Sequence, residues 1–139
     1  MDREAAAVLS GSALFDGIPP RELERDFLRL GSARRSEPAG RLLGSAGDPY
    51  ERLVLLCSGS LLATLDDERG RSLLVAELRA PDAVAPGIVF APDPRLPVSL
   101  TTGDACEILI VGRGAVLELC RRRQRFLENL LGLLGGRIQ

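Results

Sequence analysis

The spacing of apolar residues changes twice along the chain. Residues 3 to 10 read as a short amphipathic helix, and Pro19 to Leu30 as a second, with proline at its opening, Gly31 at its close and an apolar stripe of Leu23, Phe27 and Leu30. From Ala33 to Val111 the apolar runs shorten to strand length, and glycine, proline and aspartate punctuate them at nearly regular intervals. Strands are predicted over Arg41–Leu43, Arg52–Ser58, Ser60–Asp66, Ser72–Leu78, Val98–Thr102 and Glu107–Val111. The two central ones, joined through Asp66-Asp67-Glu68-Arg69-Gly70-Arg71, form a hairpin with a charged turn in which Gly70 takes a positive φ. From Gly114 the period becomes helical again: Val116, Leu119 and Cys120 share one face, and Phe126, Leu127, Leu130, Leu131, Leu133 and Leu134 make a second, richer one. The predicted organisation is one domain over 1–139, with N-terminal helices over 1–31, a β-roll over 32–112 and C-terminal helices over 113–139. Its class is mainly β with flanking helices.

Composition narrows the function. A chain of 139 residues, 45% apolar and 27% charged, can bury a core without metals or disulfides. Eighteen basic against nineteen acidic residues leave a net charge of -1, so the chain has no overall attraction to a phosphate backbone. The N-terminus lacks the apolar stretch of a signal peptide, and no apolar run nears the roughly 20 residues that span a bilayer. Cys57, Cys106 and Cys120 are an odd, widely spaced set without a CxxC pair, which fits buried thiols in a reducing cytoplasm. There is no histidine, no GxSxG, no P-loop and no metal-spaced ligand set, so an enzyme is not expected. The same absence counts against a cupin-like metal barrel.

Several short segments, in order, point to a family. Leu14-Phe15-Asp16-Gly17-Ile18 with Glu22-Leu23 resembles the turn that opens the cyclic-nucleotide-binding fold of Crp/Fnr-type transcription regulators. Gly40 and Gly47-Asp48-Pro49 match its glycine turns, Leu53 to Leu61 its strand-glycine-strand element, Gly70-Arg71 with Leu73 and Leu74 its hairpin, and Ala105 to Ile110 its last strand before the helix pair. The resemblance covers nearly everything from residue 14 and implies a double-stranded β-helix (jelly-roll) barrel with a C-terminal dimerisation helix. It also implies an effector-sensing domain, with DNA bound through a separate helix-turn-helix domain beyond Gln139.

The phosphate-binding segment departs from the family pattern. Counting from Asp82, the expected glycine falls on Ala85 and the ribose-binding glutamate on Pro86; counting back from Cys106, the Arg-Ser step falls on Leu96-Pro97, with Arg95 one place early. A one-residue offset in an extended strand turns a side chain to the other face, and Pro86 lacks a backbone donor. Cyclic AMP or GMP is therefore not the expected ligand. The remaining apolar segment resembles the branch sensing redox or nitrosative stress, including haem-dependent nitric-oxide regulators of hybrid-cluster-protein genes. That resemblance implies a pocket between barrel and long helix, with Val84, Pro86, Phe90, Arg95, Pro97, Ser99 and Leu127 as candidate lining, and haem as cofactor. Without histidine the axial ligand is unassigned among Cys57, Cys106, Cys120, Tyr50, Met1, the terminal amine or an exogenous group. An iron-sulfur cluster would need cysteines before Cys57, where there are none.

The resemblance also implies a homodimer, its seam supplied by Phe126, Leu127, Leu130, Leu133 and Leu134. Large apolar residues on a terminal helix would otherwise face water, and such patches mark interfaces. The competing expectation is an interaction module of the same fold with another small ligand or none.

Overall fold

The computed structural model describes residues 3–138, with side chains described through residue 135. Two helices, α1 (Arg3–Leu9) and α2 (Pro20–Leu30), flank a 3-10 turn at Ala13–Phe15. Eight strands follow among the described residues: β1 (Ala33–Glu37), β2 (Leu42–Gly44), β3 (Arg52–Ser58), β4 (Ser60–Asp66), β5 (Ser72–Arg79), β6 (Asp82–Val84), β7 (Ser99–Thr102) and β8 (Cys106–Gly112). Helices α3 (Arg113–Arg122) and α4 (Gln124–Ile138) complete the chain. The strands pair antiparallel into two four-stranded sheets, ordered β1-β8-β3-β6 and β2-β7-β4-β5.

The apolar pattern explains this layering. Strands β3 and β8 are nearly continuous apolar runs because both of their faces are covered. Leu53 and Leu55 point to the side of α1 and α3, while Leu56 and Ile108 meet the opposite sheet, and Leu53, Leu55, Leu56, Ile108, Leu109 and Val111 are all buried. From the second sheet Leu61, Ala63 and Leu100 enter the same core. On α2 the predicted stripe holds: Leu23 and Phe27 are buried, and Leu30 packs at the margin of the core.

Two strands carry no apolar signature. β1 reads Ala-Arg-Arg-Ser-Glu and is held to β8 by its ladder and by Glu107, which accepts from the Arg34 guanidinium at 3.3 Å and the Ser36 hydroxyl at 2.6 Å. β6 is only three residues long and pairs with the middle of β3. The predicted hairpin is β4-β5, and its turn closes as expected: Asp67 accepts from the backbone N–H groups of Arg69 and Arg71, and Gly70 sits at φ +79°. Strand β5 is an edge whose apolar residues Leu73, Leu74 and Val75 are all more than half exposed.

Between α3 and α4 the chain breaks at Arg123, whose extended backbone (φ -126°, ψ 104°) interrupts the helix while its side chain reaches back to α2. The guanidinium donates to both carboxylate oxygens of buried Asp26 and lies 3.5 Å from Glu22. The neighbouring arginines are also engaged in ion pairs: Arg121 and Arg122 with Glu118, and Arg125 with Asp16. Burial of one partner makes the Arg123–Asp26 pair a structural lock between the first and last layers.

Candidate effector site

The segment joining β6 to β7 occupies the place where the family resemblance puts ligand chemistry. It begins with a strained residue: Ala85 holds φ +39°, in the left-handed region that glycine favours. A single 3-10 turn, Ile88–Phe90, follows, with Val89 buried and Phe90 half-buried beneath the Arg113 guanidinium, 5.6 Å from the ring centre. Val84 and Pro86 are buried. Gly87 lies against α4, where an added Cβ would sit 2.2 Å from the Leu134 side chain.

The offset in the Arg95 region has a direct structural outcome. Arg95 turns outward, donating to the Gly47 carbonyl at 2.9 Å and to Asp93 at 2.9 Å, whereas Leu96 points inward and is buried against Gly44. Pro97 is exposed, and the Ser99 hydroxyl accepts from the Ala46 N–H at 3.0 Å. The residue that the family resemblance sets at the arginine place is thus an inward apolar side chain. The seven candidate lining residues do not converge on one cavity: Val84 and Pro86 are interior, Arg95 and Pro97 face outward, and Leu127 is 36% exposed on α4.

Next to Leu96 lies an inner cavity of about 140 Å³, lined by Arg35, Leu43, Asp48, Tyr50, Val54, Leu100, Ile108 and Ile110. It shares Arg35, Pro49, Tyr50, Val54 and Ile110 with an outer vestibule of about 330 Å³ that adds Glu51 and Arg52. Pockets for organic ligands run from about 300 to 1,000 Å³; the inner cavity is smaller than that. Tyr50 forms its wall as a clamp, its hydroxyl donating to the Val84 carbonyl at 2.5 Å and accepting from the Val54 N–H at 3.0 Å. Burial pushes the phenol well above its usual range, the Val54 contact only partly offsetting it, so Tyr50 stays neutral. Beside it Arg35 donates to buried Glu37 at 2.5 Å, and Arg41 lies 3.5 Å from the same carboxylate.

Sequence reasoning named Tyr50 only as a possible iron ligand and missed Arg35, Asp48 and Leu96 as cavity walls. Arg35 was hidden in a strand without apolar alternation. Leu96 was visible as a departure from the family pattern, but its inward direction came only with the fold.

Haem can be tested against the same geometry. Tyr50 is committed at both sides of its hydroxyl. Cys106 Sγ lies 3.1 Å from both the Ser60 and Asp104 carbonyls, and burial, with Asp104 and Glu37 adding to it, raises the thiol's pKa. Burial raises Cys120 as well. Met1, the terminal amine's residue, lies outside the described residues, and the inner cavity is too small for a porphyrin. Tyr50 and Cys106 are thus engaged, and the inner cavity does not accommodate a porphyrin.

The raised pKa values of Tyr50, Cys106 and Cys120 carry a pH prediction. Each group is neutral when protonated and is buried or half-buried in the folded state, so its stabilising contribution is fully present below the unfolded pKa, about 8.5 for a thiol and about 10 for a phenol. That contribution is lost as pH rises toward the folded values. Thermal melts should be level from about pH 7 to 8 and fall progressively above about pH 8.5; a midpoint that rises over that range would contradict the assignment.

Solved structures that share this fold include transcriptional regulators and cyclic-nucleotide-binding proteins. The catabolite activator protein of Thermus thermophilus superposes with a TM-score of 0.79 at 25% identity, over 91% of this chain and 58% of its own. A transcriptional regulator of Thermotoga maritima gives 0.76 at 24% identity, covering 82% of this chain and 88% of its own. The sensor domain of the transcriptional regulator DNR from Pseudomonas aeruginosa gives 0.81 at 17% identity, covering 98% and 89%. No protein-family model and no curated protein sequence matches the chain. The fold is thus the one shared by these regulators and cyclic-nucleotide-binding domains, an antiparallel two-sheet core with four helices among the described residues. The chain spans little more than half of the Thermus protein's length. Among the described residues no helix is long and apolar enough to cross a membrane.

Proposed function

We propose that this chain is the effector-sensing and dimerising domain of a Crp/Fnr-type transcription regulator that does not take cyclic nucleotides. The observation that carries the reading is the regulator roll with Leu96 turned into its interior and Arg95 turned out. DNA contact in the whole regulator falls to a segment other than this one, in keeping with the net charge of -1. An effector acting here would bias the position of α4, which touches the β6–β7 segment through Leu134 and Gly87. The finer form of this reading, nitric-oxide sensing through haem, requires α4 to leave the roll and open a larger slot.

Its test is a thermal-shift panel of haemin, with and without nitric oxide after reduction, and small apolar effectors. A ligand of the folded state present at a hundred times its dissociation constant stabilises by about 2.7 kcal/mol. A saturable shift with haemin at one per chain, with a nitrosyl absorbance change, supports the haem form. A panel without any shift favours the interaction module, which the small interior also supports.

Homodimerisation is part of the proposal, but its seam is narrower than the sequence stripe. Phe126 and Leu130 are buried in their own domain, and Leu133 and Leu134 pack partly against its core. The outward face of α4 presents Leu127 and Leu131, the latter 57% exposed. A Leu130→Arg change would therefore disrupt the fold rather than report on assembly. Leu131→Arg is expected to convert dimer to monomer in light scattering with an unchanged circular-dichroism spectrum; an unchanged mass would remove α4 from the seam.

A further inference from the structure

A groove of about 630 Å³ runs between α1 and α2, and it uses residues that neither the core nor the effector site explains. Arg3 and Ala7 form one wall, and Arg21, Glu24, Arg25 and Leu28 the other. Several guanidinium groups elsewhere are paired: those of Arg34, Arg35, Arg71, Arg79 and Arg95 each lie within 3.3 Å of a carboxylate. Arg3, Arg21 and Arg25 have no ion-pair partner among the described residues, and Glu24 is the one acidic residue in the lining. At the same place Leu28 stands 71% exposed on the outer side of α2, although the inward side already has its apolar set in Leu23 and Phe27.

We infer that this groove docks an acidic amphipathic helix of a partner protein, an inference that goes beyond the effector reading and does not depend on it. Arg21 and Arg25 are four residues apart, so they lie one turn apart on the same face of α2. Carboxylates at the same spacing on a partner helix meet both, Arg3 supplies a third cation from the facing wall, and a leucine-sized side chain between them covers Leu28. Charge-assisted pairs to guanidinium groups are stronger than neutral ones, and an aliphatic anchor amid charge gives a docking site its specificity. The apolar floor separates this from a phosphate-backbone site, where Leu28 would contribute nothing. The concave shape separates it from a membrane surface.

The test is fluorescence anisotropy with a synthetic helical peptide carrying glutamates four residues apart beside a leucine stripe. Saturable binding that weakens with salt, and that drops by about tenfold or more in Arg21→Glu/Arg25→Glu and separately in Leu28→Asp, is the expected result. Both variants alter exposed side chains, and circular dichroism confirms that they fold. Absence of binding overturns the inference, as does equal binding of a serine-for-leucine peptide, binding unaffected by the variants, or preferential binding of duplex DNA or phosphatidylglycerol vesicles.

Discussion

Gly59→Ala is expected to destabilise the fold by about 3 kcal/mol or more, seen as a large drop in urea midpoint with little change in slope. Gly59 is the single residue between β3 and β4 and holds φ +87°. A Cβ there would lie 2.2 Å from the Ala105 carbonyl oxygen and 2.9 Å from Cys106 Sγ. The first of these is backbone, one residue before β8, so no flexible side chain can yield. Gly40 is the control, because its φ is +76° but nothing lies within 4 Å of the added carbon. Its alanine variant should lose only the left-handed penalty of about 1–2 kcal/mol. Equal effects at the two positions would show that steric contact with β8 is not the cause.

Phe126→Ala should cost about 3–5 kcal/mol, the range for a fully buried phenylalanine. Phe126 is 1% exposed and packs with its ring centre 5.7 Å from that of Phe15, which in turn meets Phe27 edge-on at 6.0 Å. These three rings join α4, the opening 3-10 turn and α2. Asn129 reinforces the junction, donating to the Leu14 carbonyl at 3.0 Å and the Asp16 carbonyl at 2.8 Å. Leu131→Ala, on the outward face of the same helix, should change monomer stability by less than about 0.5 kcal/mol. If guanidinium denaturation shows the two variants to be alike, α4 is not docked as described.

What could be read from sequence follows burial. Strands covered on both sides, β3 and β8, announced themselves as apolar runs, and the hairpin announced itself through Asp67 and Gly70, whose side chain and backbone close its turn. β1 was illegible because it is a charged edge strand, chosen by Glu107 across the ladder rather than by its own periodicity. On α4, spacing showed that one face is rich in leucine. It could not show that Phe126 and Leu130 are consumed within the domain, since an intramolecular core and a dimer seam leave the same pattern. The candidate site was legible in its departures, at Ala85, Pro86, Leu96 and Pro97. The direction of each side chain was not, because it depends on how the β6–β7 loop meets β2 and on the Pro49–Arg95 bridge.

The most direct test of the account is a calorimetric titration of the folded chain with cyclic AMP. With Leu96 filling the arginine position, Arg95 bonded to Gly47 and Asp93, and an inner cavity of about 140 Å³, no saturable heat is predicted at millimolar nucleotide. Saturable binding at one nucleotide per chain would contradict it, and would mean that the interior opens to a ligand for which these residues provide no phosphate contact.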